Sequence, residues 1–312
     1  MAPRAVALGG GHGLSATLRA LRLLTGDLTA VVTVADNGGS SGRLRDELGC
    51  LPPGDLRMAL SALCDDTEWG HTWRDILQYR FATDGPLNYH AVGNLLIASI
   101  WEKLGDPVAG LELVGRLLGA RGTVLPMAMV PLQISAVVAD RERLHEVHGQ
   151  VAVATTAGRL EKVWIEPANP PACPQAVEAI LEADVVVLGP GSWITSVLPH
   201  LLVPELHEAL RETKARLIVT MNLIPQRGET ETMTAADHLQ VLRQYAPDMR
   251  FDTVIADPRA ITDLDGLSGA AESLGAGLML RQVHSTLLPG THDPLRLAAA
   301  FRDALDQSIS DA

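Results

Sequence analysis

Aromatic side chains are scarce: 4 % of the 312 residues are Phe, Trp or Tyr. The interior must therefore be filled by Ala, Val and Leu, which is feasible because 47 % of the chain is hydrophobic. Cysteine is also sparse. Cys50, Cys64 and Cys173 are odd in number and form no CxxC pair, which excludes a disulfide framework or a zinc site of that spacing. This usage fits a reducing, cytoplasmic setting. No apolar run reaches the roughly 18 residues of a membrane span. The first apolar stretch is too short for a signal peptide. No basic block appears and the formal net charge is −12, so neither nucleic acid nor an acidic membrane is expected as the main partner. A bound phosphate would need local help against that overall field.

Glycine is abundant where it matters. Ala5–Leu8 is a short apolar run that ends in Gly9-Gly10-Gly11-His12-Gly13 and leads into a helical pattern over Leu14–Leu24. Strand, tight turn and helix follow one another, and Ala30–Ala35 supplies the next β-branched run. This is a βαβ unit, the seed of a parallel sheet. Arg57–Cys64, Trp73–Phe81, Ala91–Leu104 and Val108–Leu118 read as helices, so a helical insert is expected at about 55–120. Leu132–Val138, Gln150–Ala154 and Leu160–Ile165 read as strands, the last two joined by a hairpin loop. Gln175–Ala183 and Pro204–Thr213 read as helices, and Val185–Leu188, Leu217–Met221 and Val254–Ala256 as strands. A capped helix is expected to start at Thr234, and the polar, Gly-rich Thr262–Gly277 is expected to be a mobile loop. The alternation predicts an α/β fold: a doubly wound, mostly parallel, Rossmann-like sheet with an antiparallel edge, in one domain over 1–312. Ligands in such folds bind at the carboxyl ends of the strands.

Three cradles are candidates for that edge. In the first, Gly10, Gly11 and Gly13 let backbone N–H groups approach a phosphate at a helix N-terminus. His12 either donates to a phosphate oxygen or is merely exposed. The second begins at Asp36, where a dinucleotide enzyme would place a ribose-binding acid. It continues through Asn37, Ser40, Ser41 and Gly42 to Arg43, which pairs with phosphate or with Asp46 or Glu47. The third is Gly189-Pro190-Gly191-Ser192 with Ser196, after an apolar strand. Asn222 and the segment Gln226–Thr230 are expected to complete the rim. Asp55 is either an N-cap or a site residue, with Arg57 two residues on. His90 and Asn94 share a face if their helix starts early. Asn94 implies a ligand or a structural hydrogen bond. His145 and His148 have helical spacing but no third ligand, so no metal site is expected.

Gly9–Gly13, Val32–Arg45, Pro52–Arg57, Gly93–Leu96, Val187–Ser196 and Pro225–Thr230 with Asp237-His238 together resemble the YvcK family of gluconeogenesis factors, relatives of CofD-type phospholactate transferases. The match is similar to the actinobacterial branch, where histidine occupies the position of His12. The resemblance implies a CofD-like fold and binding of UDP-sugars such as UDP-N-acetylglucosamine. It also implies control of cell-wall precursor supply, cell shape and growth on gluconeogenic carbon. No cofactor is then required, and a regulatory protein partner and a homo-oligomer are compatible. One departure stands out: the family usually has two acids where this chain has Asp36-Asn37. The rival reading is a phospholactate-type transferase with a deazaflavin acceptor, for which Mg²⁺ would be needed. A nicotinamide oxidoreductase would require a substrate domain with catalytic acid–base residues, and none is identifiable.

Overall fold

The computed structural model describes residues 2–140, 143–156, 158–226, 230–231 and 233–310. β1 (Ala5–Gly9) is buried along its whole length. α1 (Gly11–Leu21) follows directly, and β2 (Leu28–Val32) pairs with β1 in parallel. Four of the next five helices form the expected insert. α2 (Gly39–Leu48) precedes α3 (Pro53–Leu63), α4 (Glu68–Gln78), α5 (Val92–Leu104) and α6 (Pro107–Leu118). Proline in the first turn starts α3 and α6, where its missing N–H costs nothing. Thr67 and Asp106 cap α4 and α6 through their side chains. β3 (Thr123–Pro126) then joins β2 in parallel.

A small antiparallel sheet comes next: β4 (Gln133–Asp140), β5 (Arg143–His148) and, after α7 (Gln150–Thr155), β6 (Arg159–Glu166), in the order β5-β4-β6. The parallel rhythm resumes with α8 (Pro174–Glu182) and β7 (Val185–Leu188). A π-helical turn, Trp193–Val197, runs into α9 (Leu198–Leu202) and α10 (Pro204–Glu212). β8 (Arg216–Thr220), α11 (Ala235–Tyr245), β9 (Thr253–Ala256), α12 (Leu264–Ser273), β10 (Gly277–Leu280) and α13 (Pro294–Ser310) complete the chain. The large sheet has the order β10-β9-β8-β7-β1-β2-β3. The chain thus winds outward from β1 to β3, then returns to the other side of β1 with β7. β1 and β7 flank the switch point, where doubly wound folds form their binding crevice. Central strands such as β1 and β7 are apolar throughout because both faces are covered.

Several expectations are corrected. Gln150–Ala154 is not a strand but most of α7, and β4 pairs with β5 and β6 instead. A five-residue run with four apolar positions carries too little periodicity to separate the two states. His145 and His148 lie on β5, not on a helix. The polar segment Thr262–Gly277 is largely α12, capped by Asp263 through Gly266 N–H and buried at Leu267, Ala270 and Ala271. Its glycines and serines occupy the outer face of an ordinary amphipathic helix. The capping box at Thr234 and Asp237 is present as expected.

Candidate functional site

The turns after β1 and β7 meet at the switch point. A Cβ on Gly13 would overlap the carbonyl of Pro190 and lie 2.7 Å from the Gly191 Cα. α1 is therefore seated directly on the Gly189–Gly191 turn, a contact only glycine allows. That turn is held rigidly. Thr17 Oγ1 donates to the Gly189 carbonyl at 2.9 Å. The Asn222 amide donates to the Gly191 carbonyl at 2.8 Å and accepts the Gly191 N–H at 2.9 Å. Asn222 thereby takes up the very N–H group that the sequence offered to a phosphate. Ser192 caps the π-helical turn by accepting Thr195 N–H, and Ser196 is buried within that turn. The third cradle is thus a braced wall. Donors remain at α1, whose first-turn N–H groups, those of His12 and Gly13 among them, have no acceptor within the helix.

A cleft of about 770 Å³ opens beside this contact, within the usual range for small-molecule sites. His12, Gly13, Gly191 and Asn222 line it, with Ile224, Gln226 and the loop Ser285–His292 on the far side. His12 is exposed at its edge. His292 was not apparent from the sequence. Burial pushes its pKa down to about 4, so the neutral ring bonds the Met221 carbonyl at 3.2 Å. Of the expected rim segment Gln226–Thr230, Arg227, Gly228 and Glu229 lie outside the described residues.

Two carboxylates sit on the other side of the α1 N-terminus. Asp36 accepts the Gly38 N–H at 2.8 Å. Asp55, in the first turn of α3, accepts the Gly11 N–H. Burial, and then the charge of Asp36, push the Asp55 pKa up to about 7, while the Gly11 N–H and Arg57 act in the opposite sense. A Cβ on Gly54 would lie 3.1 Å from Asp36 Oδ2, and one on Gly10 would overlap the Asp55 carboxylate. The acid that faces Asp36 is thus Asp55, not residue 37. Asn37 turns away and accepts the Val151 N–H at 3.1 Å, capping α7.

The remaining candidates form a buried polar network. Ser40 Oγ lies 3.0 Å from His90 Nδ1 and accepts from Asn94 Nδ2 at 3.0 Å and from Ala91 N–H at 3.3 Å. With two donors already pointing at it, the hydroxyl gives its own proton to Nδ1. His90 is then a neutral imidazole, in keeping with the way burial and Arg43 lower its pKa. Arg57 Nε donates to Asn94 Oδ1 at 2.8 Å and a terminal nitrogen donates to Gln78. Asn94 thus has the structural hydrogen bonds that its burial demanded. Ser41 Oγ is 3.5 Å from Asn94 Nδ2, and Gly42 packs against the Asn37 carbonyl.

Arg43 is committed elsewhere. Its guanidinium donates to the carbonyls of Pro86 at 3.0 Å and Asn88 at 2.6 Å. Arg43→Ala is accordingly expected to cost about 1 kcal/mol, the net worth of such bonds, and to speed proteolysis between residues 81 and 90. Nucleotide affinity should fall less than twofold, since both bonds of its guanidinium go to backbone carbonyls. Limited proteolysis with mass mapping, beside calorimetry, checks this; unchanged cleavage with weakened diphosphate binding would return Arg43 to the ligand.

Fold and site together define a doubly wound α/β protein whose crevice lies where two glycine turns meet at the switch point. A family model described as 2-phospho-L-lactate transferase CofD matches residues 5–271, and the chain belongs to this family. A Mycobacterium tuberculosis protein provisionally named gluconeogenesis factor is 51 % identical over 305 residues, covering 95 % of this chain and 88 % of that one. Its Mycobacterium leprae counterpart, of the same name, is 50 % identical over 309 residues, covering 96 % and 85 %. The crystal structure of a UPF0052-family protein from Bacillus halodurans superposes with a TM-score of 0.88 at 32 % identity, covering 97 % and 99 % of the two chains. Among the described residues no helix is long and apolar enough to cross a membrane.

Proposed function

We propose that this protein binds a nucleotide sugar of the UDP-N-acetylglucosamine type in the switch-point cleft and acts as a cytoplasmic regulator of cell-wall precursor supply, cell shape and gluconeogenic growth. The observation that carries this reading is the seating of the α1 N-terminus on the Gly189–Gly191 turn beside a cleft of ligand size. Helix N-termini favour phosphate through free N–H groups and the helix dipole. The names of the relatives support the gluconeogenic part in general terms. UDP-N-acetylglucosamine at 100 times its dissociation constant is expected to stabilise the fold by about 2.7 kcal/mol, read as a rise of several degrees in Tm. No shift at millimolar ligand, with calorimetry also blank, overturns the reading.

The Asp36–Asp55 pair favours a second reading, a phospholactate-type transferase. Two carboxylates are oxygen donors that suit Mg²⁺. Among the described residues no group of three or more His, Cys, Asp or Glu side chains could hold a metal, so waters and substrate phosphates would complete its shell. When bound, such an ion neutralises phosphate charge. Asp36 and Asp55 would hold it, and the Gly11 N–H would orient Asp55. Incubation with GDP-linked phospholactate and a deazaflavin acceptor, with and without Mg²⁺, separates the two readings. Metal-dependent product from wild type that disappears in Asp55→Asn establishes the transferase.

A further inference from the structure

The far side of the cleft differs in chemistry from the α1 side. It is formed by Ile224, just beyond β8, and by the loop that joins β10 to α13. That loop is a braced finger. His284 and His292 pair across it in antiparallel fashion. Ser285 N–H donates to the Thr291 carbonyl at 2.8 Å, and Asp293 N–H to the Val283 carbonyl at 2.8 Å. The buried carboxylate of Asp257 fixes the base of the finger. It accepts the backbone N–H groups of Val283 and His284 at 2.8 and 2.9 Å and the His284 ring at 2.7 Å.

Two side chains on this wall are apolar and largely exposed, Ile224 at 58 % and Leu288 at 64 %. Ile224 lies against the finger at Gly290, where a Cβ would come within 2.9 Å of its Cδ1. His292 lines the same wall. Its Nε2 faces the Met221 carbonyl at 3.2 Å, and a carbonyl can only accept, so the ring proton sits on Nε2. Nδ1 therefore carries a lone pair. It has no partner among the described residues, and it is not among the unpaired atoms that are closed off from solvent. Met221 directly precedes Asn222, which holds Gly191, so this acceptor stands beside the turn that carries α1. Exposed apolar surface gains by being covered with a ring. Sugar hydroxyls instead need several hydrogen-bond partners when they are buried. One acceptor beside two aliphatic side chains suits a nucleobase, not a sugar.

We propose that the wall formed by Ile224, Leu288 and His292 is the nucleobase subsite, and that His292 Nδ1 selects the base by accepting its imide N–H. The inference rests on the nucleotide-sugar reading and adds which end of the ligand lies on this side of the cleft. Uracil presents the imide N–H at N3 and guanine at N1. Cytosine and adenine present a lone pair at the corresponding nitrogen. Two lone pairs would then face each other and neither would be satisfied, which is the costly outcome for polar groups taken out of water. Burial keeps the His292 ring neutral above a pH of about 4, so the acceptor is present throughout the physiological range.

The test compares UDP, CDP and 3-methyl-UDP by calorimetry on the full chain. The three share the ribose and the diphosphate and differ at the imide position. Wild type is expected to bind UDP about tenfold more tightly than either of the others, the scale of one hydrogen bond lost with its acceptor left unpaired. His292→Phe keeps a ring and removes the acceptor, so it should weaken UDP and bring the UDP-to-CDP ratio towards one. Thermal unfolding verifies its fold. Leu288→Asp, at an exposed position, should weaken UDP several-fold. Equal affinities for UDP and CDP in wild type, a ratio that survives in folded His292→Phe, or unchanged UDP binding in Leu288→Asp overturns the base subsite while the nucleotide-sugar reading stands. If His292→Phe does not fold, 3-methyl-UDP decides on wild type alone, and binding as tight as that of UDP overturns the proposal. If none of the three binds while UDP-N-acetylglucosamine does, the base subsite falls by itself; if that ligand fails too, both readings fall.

Discussion

Gly13→Val is expected to destabilise the protein by about 3 kcal/mol, near the upper end for overpacking, and to remove nucleotide binding altogether. The obstacle is backbone. The added Cβ would meet the Pro190 carbonyl and carbonyl carbon and the Gly191 Cα at once. A flexible side chain could swing aside, but the Gly189–Gly191 turn is anchored by Thr17 and doubly by Asn222. Relief must then come from lifting the α1 N-terminus off the turn, and that displaces the N–H groups on which phosphate binding depends. Gly26→Ala is the control, because a Cβ there meets nothing within 4 Å. Urea unfolding and calorimetry on both variants measure the effect. A Gly13→Val protein of wild-type stability would mean that the two turns do not touch.

Asp55→Asn is expected to change how stability depends on pH. The folded-state pKa of Asp55 is about 7, against an ordinary 3.8. The native protein therefore keeps a proton that the unfolded chain has already released. The associated stability is fully present below pH 3.8 and is lost as pH rises through 7, amounting to about 4 kcal/mol over the interval at 1.36 kcal/mol per pKa unit. Asparagine keeps the shape and cannot titrate. Wild type should accordingly lose stability relative to Asp55→Asn between pH 4.5 and 8, by several kcal/mol in urea titrations. Parallel profiles would show that Asp55 does not titrate in this window. A divalent cation held between Asp36 and Asp55 favours the ionised form, so Mg²⁺ that binds there would move the wild-type loss to lower pH.

Local chemistry made much of the fold legible. Val185–Leu188 reads as a strand because a buried parallel strand needs apolar residues on both faces. The glycines after it, and those after Leu8, mark turns because no other residue lets the backbone pass so closely. α7 and β5 depart from expectation for the opposite reason. α7 and β5 are short and lie at the antiparallel edge, where burial is partial and the hydrophobic period is weak. α7 is helical in part because Asn37 caps it from far away in the chain.

The sequence by itself determined that glycine turns would stand at the carboxyl ends of parallel strands, since strand burial and turn sterics are properties of a few adjacent residues. Tertiary structure alone decided what the polar side chains do there. It gave the Gly191 N–H to Asn222, the Arg43 guanidinium to Pro86 and Asn88, and Asn94 to Arg57. It set Asp36 against Asp55. A donor or acceptor bonds whatever the packed helices and strands bring within about 3 Å, and those neighbours come from distant parts of the chain.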